Sequence, residues 1–399
     1  MANKRVLIVN KFLYPRGGDC IVASNTTTLL RSHGYEVGEF AMKYDANLPS
    51  PFSKYYAPEV SFAGSAIDKL RAAARIMGGA GVKDSFAAIV EEFKPDVVWF
   101  HNIHSYLSPA IVKMAKERGC RVLWTLHDYK LACPSYLCLR DGKPCGDCLR
   151  SMTSVVKHRC MKGSLSASLL GYVEAKRWPV KKISRWVDYF ICPSKFLASM
   201  MREAGVEKGK LKVVCNFIDP QKYELISKSE LPERRDYAVY IGRLSHEKGI
   251  DTLLEAAKGL HQIPLRIYGS GPIEQELKEK YSSLPNVKFM GKVDSENVVK
   301  ALSGARFSVV PSEWYENNPL SLIESLCCGV PVVGANIGGI PELISNPNCG
   351  ELFTPGNIES LRIGMSKLWK RDNGFEELKY DSLNRFSAET HFRQIAPLL

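Results

Sequence analysis

A chain of 399 residues with 45% hydrophobic content exceeds what one ordinary core organises, so two domains are expected. No apolar stretch reaches the roughly 18 to 20 residues of a membrane-spanning helix, and Met1-Ala2-Asn3-Lys4-Arg5 leads straight into Val6-Leu7-Ile8-Val9, too short a run for a signal peptide. The expectation is a cytoplasmic protein, whose 12 cysteines would be reduced thiols, metal ligands or small core residues, and the net charge of +12 lies wholly in residues 1–200, which hold 29 Lys and Arg against 16 Asp and Glu.

Short runs rich in valine and isoleucine alternate with helical patterns, the signature of parallel α/β units. In chain order the strands predicted for the first half are Arg5–Val9, Val37–Ala41, Asp96–Phe100, Arg121–Leu126, Asp188–Cys192 and Lys212–Cys215. Those of the second half are Tyr237–Ile241, Leu265–Tyr268, Val287–Met290, Phe307–Val310 and Val332–Gly334. Between Asn216 and Arg235 the residues Pro220, Lys222, Lys228, Glu230 and Pro232 show no core-facing period, which places an interdomain linker there. The stretch Ser382–Leu399 is amphipathic enough for a helix that returns to the first domain. The expected organisation is therefore a first domain of residues 1–216 plus the helix 382–399, and a second of residues 217–381, each with a parallel sheet and a cleft between them.

Ligands of open parallel sheets bind outside the carboxyl ends of strands, and the unusual residues fall at such ends. Gly17-Gly18 follows the first strand and precedes the helical run Ile21–Arg31, where backbone N–H groups could approach a phosphate. The full three-glycine dinucleotide fingerprint is absent. His101-Asn102 and His127-Asp128 each end a strand, and His127, placed before Asp128, is a candidate for a functional role. Cys133, Cys145, Cys148 and Cys160 are separated by eleven, two and eleven residues around the knuckle Cys145-Gly146-Asp147-Cys148. Four thiolates in such a pattern can close a tetrahedral structural zinc site, with Cys138 and His158 as alternative ligands, pinning the loop 133–160 rather than doing chemistry. Lys176, Arg177, Lys181, Lys182 and Arg185 crowd near Trp178 and Trp186, which fits an anionic membrane surface or a lipid-diphosphate acceptor, and would also fit nucleic acid.

In the second half, Arg243 and Lys248 set two positive charges beyond a strand end, suited to neutralising a departing diphosphate. Further on, Glu316 and Glu324 flank Asn317-Asn318-Pro319. Asn318 suits a helix N-cap, Pro319 the first helical position, and Gly329 with Pro331 the stop. A helix would thus begin between the glutamates. Its free N–H groups would face whatever Glu316 faces, and Glu324, about one and a half turns in, could reach a ribose diol.

From Tyr237 to Glu342 the chain resembles the retaining glycosyltransferases of family 4 with the GT-B fold. The resemblance rests on Gly242-Arg243-Leu244 with Lys248-Gly249, on Gly269-Ser270-Gly271-Pro272, on Glu316 and Glu324 with seven residues between them, and on Gly329-Val330-Pro331 with Gly338-Gly339-Ile340-Pro341-Glu342. The first half is similar through Gly17-Gly18 and His127-Asp128, and its cysteine loop resembles a subset with a cysteine-bearing insertion. The resemblance implies two Rossmann-like domains, an acceptor-binding one followed by a donor-binding one. It implies that Arg243 and Lys248 hold the donor diphosphate and that Glu324 binds the ribose. Glu316 with the backbone of Asn317, Asn318, Pro319 and Leu320 would hold the sugar and phosphate. His127 would contact the sugar, Gly17 and Gly18 the phosphates and acceptor, and Val293 with Lys292 the nucleobase. Where the family more often has glycine and aromatic residues after the first glutamate, this chain has Asn317-Asn318-Pro319.

The activity so implied is retaining transfer of a hexose from a UDP- or GDP-sugar to a glycan or lipid-diphosphate-linked acceptor in cell-surface polysaccharide synthesis. No Asp-x-Asp run stands beside the donor motifs, so no catalytic cofactor is expected. The partners expected are the nucleotide diphosphate sugar, the acceptor and, peripherally, the anionic inner face of the plasma membrane, with no nucleic acid expected. Two rivals carry specific tests. A glycosidase would use Glu316 and Glu324 as its carboxylate pair, and a basic zinc module would bind nucleic acid through residues 130–190.

Overall fold

The computed structural model describes residues 4–230 and 236–399, so Pro232 and Arg235 of the expected linker lie outside the described residues. The strands are β1 (Arg5–Val9), β2 (Glu36–Phe40), β3 (Val97–Phe100), β4 (Arg121–Thr125), β5 (Leu139–Arg140), β6 (Lys143–Pro144), β7 (Tyr189–Cys192), β8 (Leu211–Val213), β9 (Ala238–Ile241), β10 (Leu265–Tyr268), β11 (Val287–Gly291), β12 (Phe307–Val310), β13 (Val332–Ala335) and β14 (Gly350–Phe353). They divide between two compact units. The first holds the chain up to Cys138, Cys145–Val214 and Phe392–Leu399; the second holds Leu139–Pro144 and Cys215–His391.

In the first unit six parallel strands run in the order β2-β1-β3-β4-β7-β8. Val6, Leu7, Ile8, Val9, Val97, Val98 and Phe100 are fully buried, because in a parallel sheet the crossover helices cover both faces of the central strands. The second unit repeats the architecture with the order β11-β10-β9-β12-β13-β14, again all parallel. Its core gathers Val239, Ile267, Phe307, Val309, Val332 and Val333 from the strands, with Leu254, Leu322, Leu326 and Met365 from helices. The strand order reverses between β1 and β3 in the first sheet and between β9 and β12 in the second, and crevices open at such reversals.

Three sequence expectations are corrected. First, Ser382–Leu399 is not one helix: Phe375–Arg385 stops, Ala388–Ile395 follows, and a 3-10 turn Ala396–Leu398 ends the chain. The break comes where buried Phe386 gives its carbonyl to the amide of Ile218 (3.0 Å) and the Ser387 hydroxyl accepts from the amide of Thr390 (3.1 Å), starting a new helix. Second, the unit boundaries lie at Val214/Cys215 and His391/Phe392, not at residues 216 and 382. Cys215 and Asn216 are tied to Asn318 of the second unit, whereas Phe392 stacks on His33 of the first at 3.5 Å and the Leu399 carbonyl accepts from Lys4 (2.8 Å). Third, β14 was not foreseen. It is a short edge strand, Gly-Glu-Leu-Phe, opened by Gly350 in an extended positive-φ conformation that brings its backbone against the Val332 carbonyl.

Candidate functional site

The second unit's reversal point is built from the turns that follow β9 and β12. After β9 the chain passes through exposed Arg243 to Lys248 and Gly249, whose φ of 67° opens the helix Ile250–Ala257. After β12 it passes through Pro311 and Ser312 to Trp314 and Glu316. Backbone bonds lock the two turns together: the Glu313 amide donates to the Glu247 carbonyl at 2.9 Å. A Cβ on Gly249 would lie 1.8 Å from the Pro311 carbonyl oxygen, so only glycine permits this approach.

Within that frame the Glu316 carboxylate is buried at 7% exposure and held from three sides. Its Oε1 accepts from Lys248 Nζ (2.6 Å), Ser312 Oγ (2.7 Å) and Trp314 Nε1 (3.0 Å). Burial by itself would raise its pKa, but the Lys248 ammonium and the donated hydrogen bonds outweigh it and hold the carboxyl below its usual range. Lys248 also lies over the Trp314 ring, 4.8 Å from its centroid. The Glu316 carbonyl accepts from Gly339 N at 2.7 Å, and Gly338, at φ 59°, passes so close that a Cβ would sit 2.2 Å from that same oxygen.

The helix that follows is Leu320–Cys327, with Cys328 as its C-cap and Gly329 at φ 67° ending it. Its N-cap is Pro319, not Asn318 as the sequence suggested. The Asn318 side chain is instead used elsewhere: Oδ1 accepts from the amide of Asn216 (3.0 Å) and the thiol of Cys215 (3.3 Å), while its carbonyl accepts from Asn216 Nδ2 (3.2 Å). Asn318 is thus a buried brace that fixes where the helix starts. The first-turn amides of such a helix have no intrahelical acceptor and face outward. Farther along, Glu324 pairs with Lys222 at 2.6 Å. Burial raises the Glu324 carboxyl above its ordinary value despite the pull of Lys222. Val293, half-buried, follows β11 and packs against the same core; its neighbour Gly291 accepts from Gly269 N at 2.9 Å, joining that turn to Gly269-Ser270-Gly271. Leu320 also packs on this core, and Asn317 is half-buried beside it.

The first unit carries its own polar cluster where β1, β3 and β4 end. Asn10 Oδ1 accepts from the Asn102 amide (3.0 Å), and Asn102 Nδ2 donates to Asp19 Oδ2 (2.9 Å). Lys11 pairs with Asp19 at 3.4 Å, and although burial would raise Asp19, Lys11 and His127 together keep it below the ordinary carboxylate range. His127 Nε2 lies 3.0 Å from His101 Nδ1, so one of the two rings donates to the other. Loss of hydration in this crevice pushes His127 down to about 4 and raises Asp128. Gly17 is the N-cap of the helix Gly18–Ser32, which begins three residues before the expected start. Its backbone is extended, at φ −168°, so what this pair contributes is an uncovered helix start rather than a conformation reserved to glycine.

The structure therefore joins Arg243, Lys248 and Glu316 on adjoining turns, places Glu324 in a separate ion pair, and sets His127 with Gly17 and Gly18 in the first unit. Sequence reasoning missed Ser312, Trp314, Lys222 and Asn216 in the second unit. It also missed Lys11 and Asp19 in the first, and gave no role to His101 and Asn102. Position after a strand end was the available signal for Ser312, Trp314 and Lys11. The two glutamates titrate in opposite directions, as a hydrolase pair would, but each is already neutralised by its own lysine.

In the cysteine loop all thiols are free. Cys133 is drawn below the ordinary thiol range by hydrogen bonds from Cys138 and Cys148, whereas His158 is exposed and stands aside. Among the described residues no group of three or more His, Cys, Asp and Glu side chains is already set around a common point for a metal ion. No helix of the described residues is long and apolar enough to cross a membrane.

Comparison with known proteins bears on both units. The model of Glycosyltransferase Family 4 matches residues 17–222, and that of Glycosyl transferases group 1 matches residues 221–384. The sulfoquinovosyl transferase of Arabidopsis thaliana is 31% identical over 192 residues, 45% of this chain and 37% of that protein. The UDP-Gal:alpha-D-GlcNAc-diphosphoundecaprenol alpha-1,3-galactosyltransferase of Escherichia coli is 28% identical over 217 residues, 47% of this chain and 55% of that protein. The chain thus spans about half or less of the length of the curated relatives it matches. Among solved structures, Anabaena HepE in complex with UDP and glucose superposes with a TM-score of 0.63 at 17% identity over 99% of both chains. Sucrose-phosphate synthase from Thermosynechococcus elongatus gives 0.66 at 19%, over 99% of this chain and 98% of that one. At these identities the likeness establishes the fold, which is GT-B.

Proposed function

The chain belongs to glycosyltransferase family 4, and from that premise we propose that it moves a hexose from a UDP- or GDP-sugar to a glycan or lipid-diphosphate-linked acceptor, with retention at the anomeric carbon. One observation carries the reading: a buried, ionised Glu316 locked to Lys248 at the reversal point of the second sheet, beside exposed Arg243 and the start of the helix Leu320–Cys327. An ionised carboxylate cannot serve as a general acid, but it can accept hydrogen bonds from sugar hydroxyls. Arg243, Lys248 and the helix start supply the positive field in which the bond from the anomeric carbon to the diphosphate breaks, its electron pair leaving with the phosphate oxygen. The acceptor hydroxyl adds on the same face, and its proton passes to the departing diphosphate. No metal ion enters this scheme. Glu324, raised by burial and shared with Lys222, is assigned to the ribose hydroxyls, Val293 to the nucleobase and His127 to the sugar.

The donor class draws support from the UDP and glucose bound to Anabaena HepE, and the acceptor class from the diphosphoundecaprenol in the name of the E. coli relative. The basic, tryptophan-bearing face of the first unit is assigned to the anionic inner surface of the plasma membrane, where a lipid-linked acceptor would be met. Thermal-shift titration with UDP, GDP and their sugars tests the donor site, because a ligand that binds only the folded state raises its stability. Arg243→Ala and Glu324→Gln should each abolish the shift. Unchanged shifts in both variants would place the donor elsewhere, and an inverted anomeric signal in the product's NMR spectrum would refute retention.

A further inference from the structure

Two segments that leave the first sheet, after β1 and after β2, are tied into one edge. Asn47 Nδ2 donates to the Met42 carbonyl (2.8 Å), and Asn47 Oδ1 accepts from the amide of Leu13 (2.9 Å). The backbone repeats the tie, with Leu48 N donating to the Leu13 carbonyl at 2.9 Å and Met42 N to that of Lys11 at 3.2 Å. On the other side the Lys11 amide donates to the Asn102 carbonyl at 3.0 Å. The chain after β1 is thus held between the chains after β2 and β3.

What this edge displays is aromatic. The Tyr14 and Tyr44 rings stack with centroids 5.6 Å apart and planes 14° from parallel. Phe12 packs against both, 5.8 Å from Tyr14 and 5.0 Å from Tyr44, and reaches Tyr106 at 5.5 Å. Phe12 is 3% exposed, whereas Tyr44 is 38% exposed and Tyr14 half-buried. Core packing therefore accounts for Phe12 but not for the stack beside it. An exposed ring already fixed by its neighbours loses little freedom when a ligand covers it, and its π face is electron-rich.

A carboxylate follows within one turn. Arg16 N donates to the Tyr14 carbonyl at 2.7 Å, and the helix Gly18–Ser32 then opens with Asp19 in its first turn. Lys11 at 3.4 Å and Asn102 Nδ2 at 2.9 Å both hold Asp19 Oδ2. Oδ1 lies on the side of Gly17, 3.4 Å from where a Cβ would stand, so no side chain closes it off there. The Lys11 and Asp19 side chains keep 20% and 19% exposure, at the rim of the crevice rather than inside the core. An aromatic face beside an ionised acceptor is the complement of a pyranose, which presents C–H groups on its face and hydroxyls around it. A bare phosphate gains nothing from the rings, and a hydrocarbon chain has no hydroxyl to give the carboxylate.

We propose that the Tyr14–Tyr44 stack seats the sugar ring of the acceptor, and that Asp19, held by Lys11 and Asn102, accepts a hydrogen bond from one of its hydroxyls. In the transfer reading above, on which this rests, the acceptor is then a glycan whose pyranose ring is what the first unit recognises. Hydrogen bonds to an ionised acceptor are roughly twice as strong as neutral ones, so Asp19 orients the ring while the stack supplies contact area.

Saturation-transfer NMR on the full-length protein tests the seat without donor, using the methyl glycosides of glucose, galactose and N-acetylglucosamine as probes. Irradiating the aromatic protons should pass signal to at least one probe, most strongly to the C–H protons of one ring face. Tyr44→Ala should lose this signal and Tyr44→Trp keep it. Asp19→Asn, of unchanged shape, should weaken binding about tenfold. Tyr380→Ala, which removes a ring 70% exposed in the second unit, should change nothing. All these variants should retain the UDP thermal shift, so that lost signal is not lost fold. A wild-type chain without that shift but with signal transfer intact would sink the donor reading and leave the seat standing. Wild-type protein that shifts with UDP but passes signal to none of the glycosides, or passes it equally in Tyr44→Ala and Asp19→Asn, would overturn the seat.

Discussion

Lys248 and Glu316 sustain each other, and the sign of their coupling can be measured. Glu316 has a folded pKa below that of an unfolded glutamate, about 4.3, so its contribution to stability is complete above that value and is lost as pH falls through the folded pKa. In Lys248→Met the carboxylate stays buried without its cation, and the variant should lose about 2–3 kcal/mol at pH 7. Its pH dependence should also reverse. Burial then lifts the Glu316 pKa, so the variant gains stability as pH falls from 7 toward 4, and urea melts at three pH values check both statements. His127 behaves oppositely to an ordinary surface histidine. With a folded value of about 4 against about 6.5 unfolded, its contribution is present above 6.5 and erodes as pH falls toward 4. Its ring proton resonance should stay flat between pH 8 and 5; a midpoint near 6.5 would mean that the crevice is wetter than described.

At the scale of elements, the glycine that joins β9's turn to β12's turn makes the sharpest prediction. Gly249→Ala introduces a Cβ at φ 67° with the Pro311 carbonyl 1.8 Å away. The positive φ alone costs about 1 kcal/mol, and the collision forces the two turns apart, moving Lys248 from Glu316. The variant should fold with a lowered melting temperature and a UDP thermal shift reduced well below that of Gly209→Ala, a control on the 3-10 turn Lys208–Lys210 where a Cβ meets nothing within 4 Å. An equal UDP shift in both variants would show that the turn contact does not set the donor site. The same scale explains what was legible in the sequence. Buried parallel strands such as Leu265–Tyr268 and Phe307–Val310 announce themselves as apolar runs, and the helix start between the glutamates was readable from Asn-Asn-Pro. The use of Asn318 was not, because its partners Cys215 and Asn216 lie about a hundred residues earlier. Lys222, on the helix Pro220–Lys228, and Lys11, just past β1, were illegible for a like reason: a lone lysine gains meaning only from the carboxylate that the fold delivers to it.

On the scale of the whole molecule, the uneven charge gives the first unit a face of its own. Trp178 and Trp186 pack edge to face at 6.3 Å, with Arg177 4.4 Å and Lys182 5.4 Å from the Trp178 ring centroid. Together with Lys83 and Lys113 they line a cavity of about 360 Å³. Leu165, Leu169 and Val173, at helical spacing on Leu165–Arg177, stay exposed at 53%, 51% and 41%. Apolar side chains at this spacing, with basic groups and indoles on the same helix and its neighbour, suit the interface of an anionic bilayer. Each lysine or arginine near such a surface contributes about 1 kcal/mol. Reversing Arg177 and Lys182 to glutamate therefore removes about 2 kcal/mol and adds repulsion, so binding to vesicles containing phosphatidylglycerol should fall about 30-fold or more. Rising salt should weaken the wild type but not the variant, because screening acts on the attraction that the variant lacks. The UDP thermal shift should be the same in both, since neither Arg177 nor Lys182 is among the residues assigned to the donor. Wild-type chain that fails to sediment with anionic vesicles at low salt would leave this face without its proposed role, and equal sedimentation of the variant would assign the contact to the leucines alone.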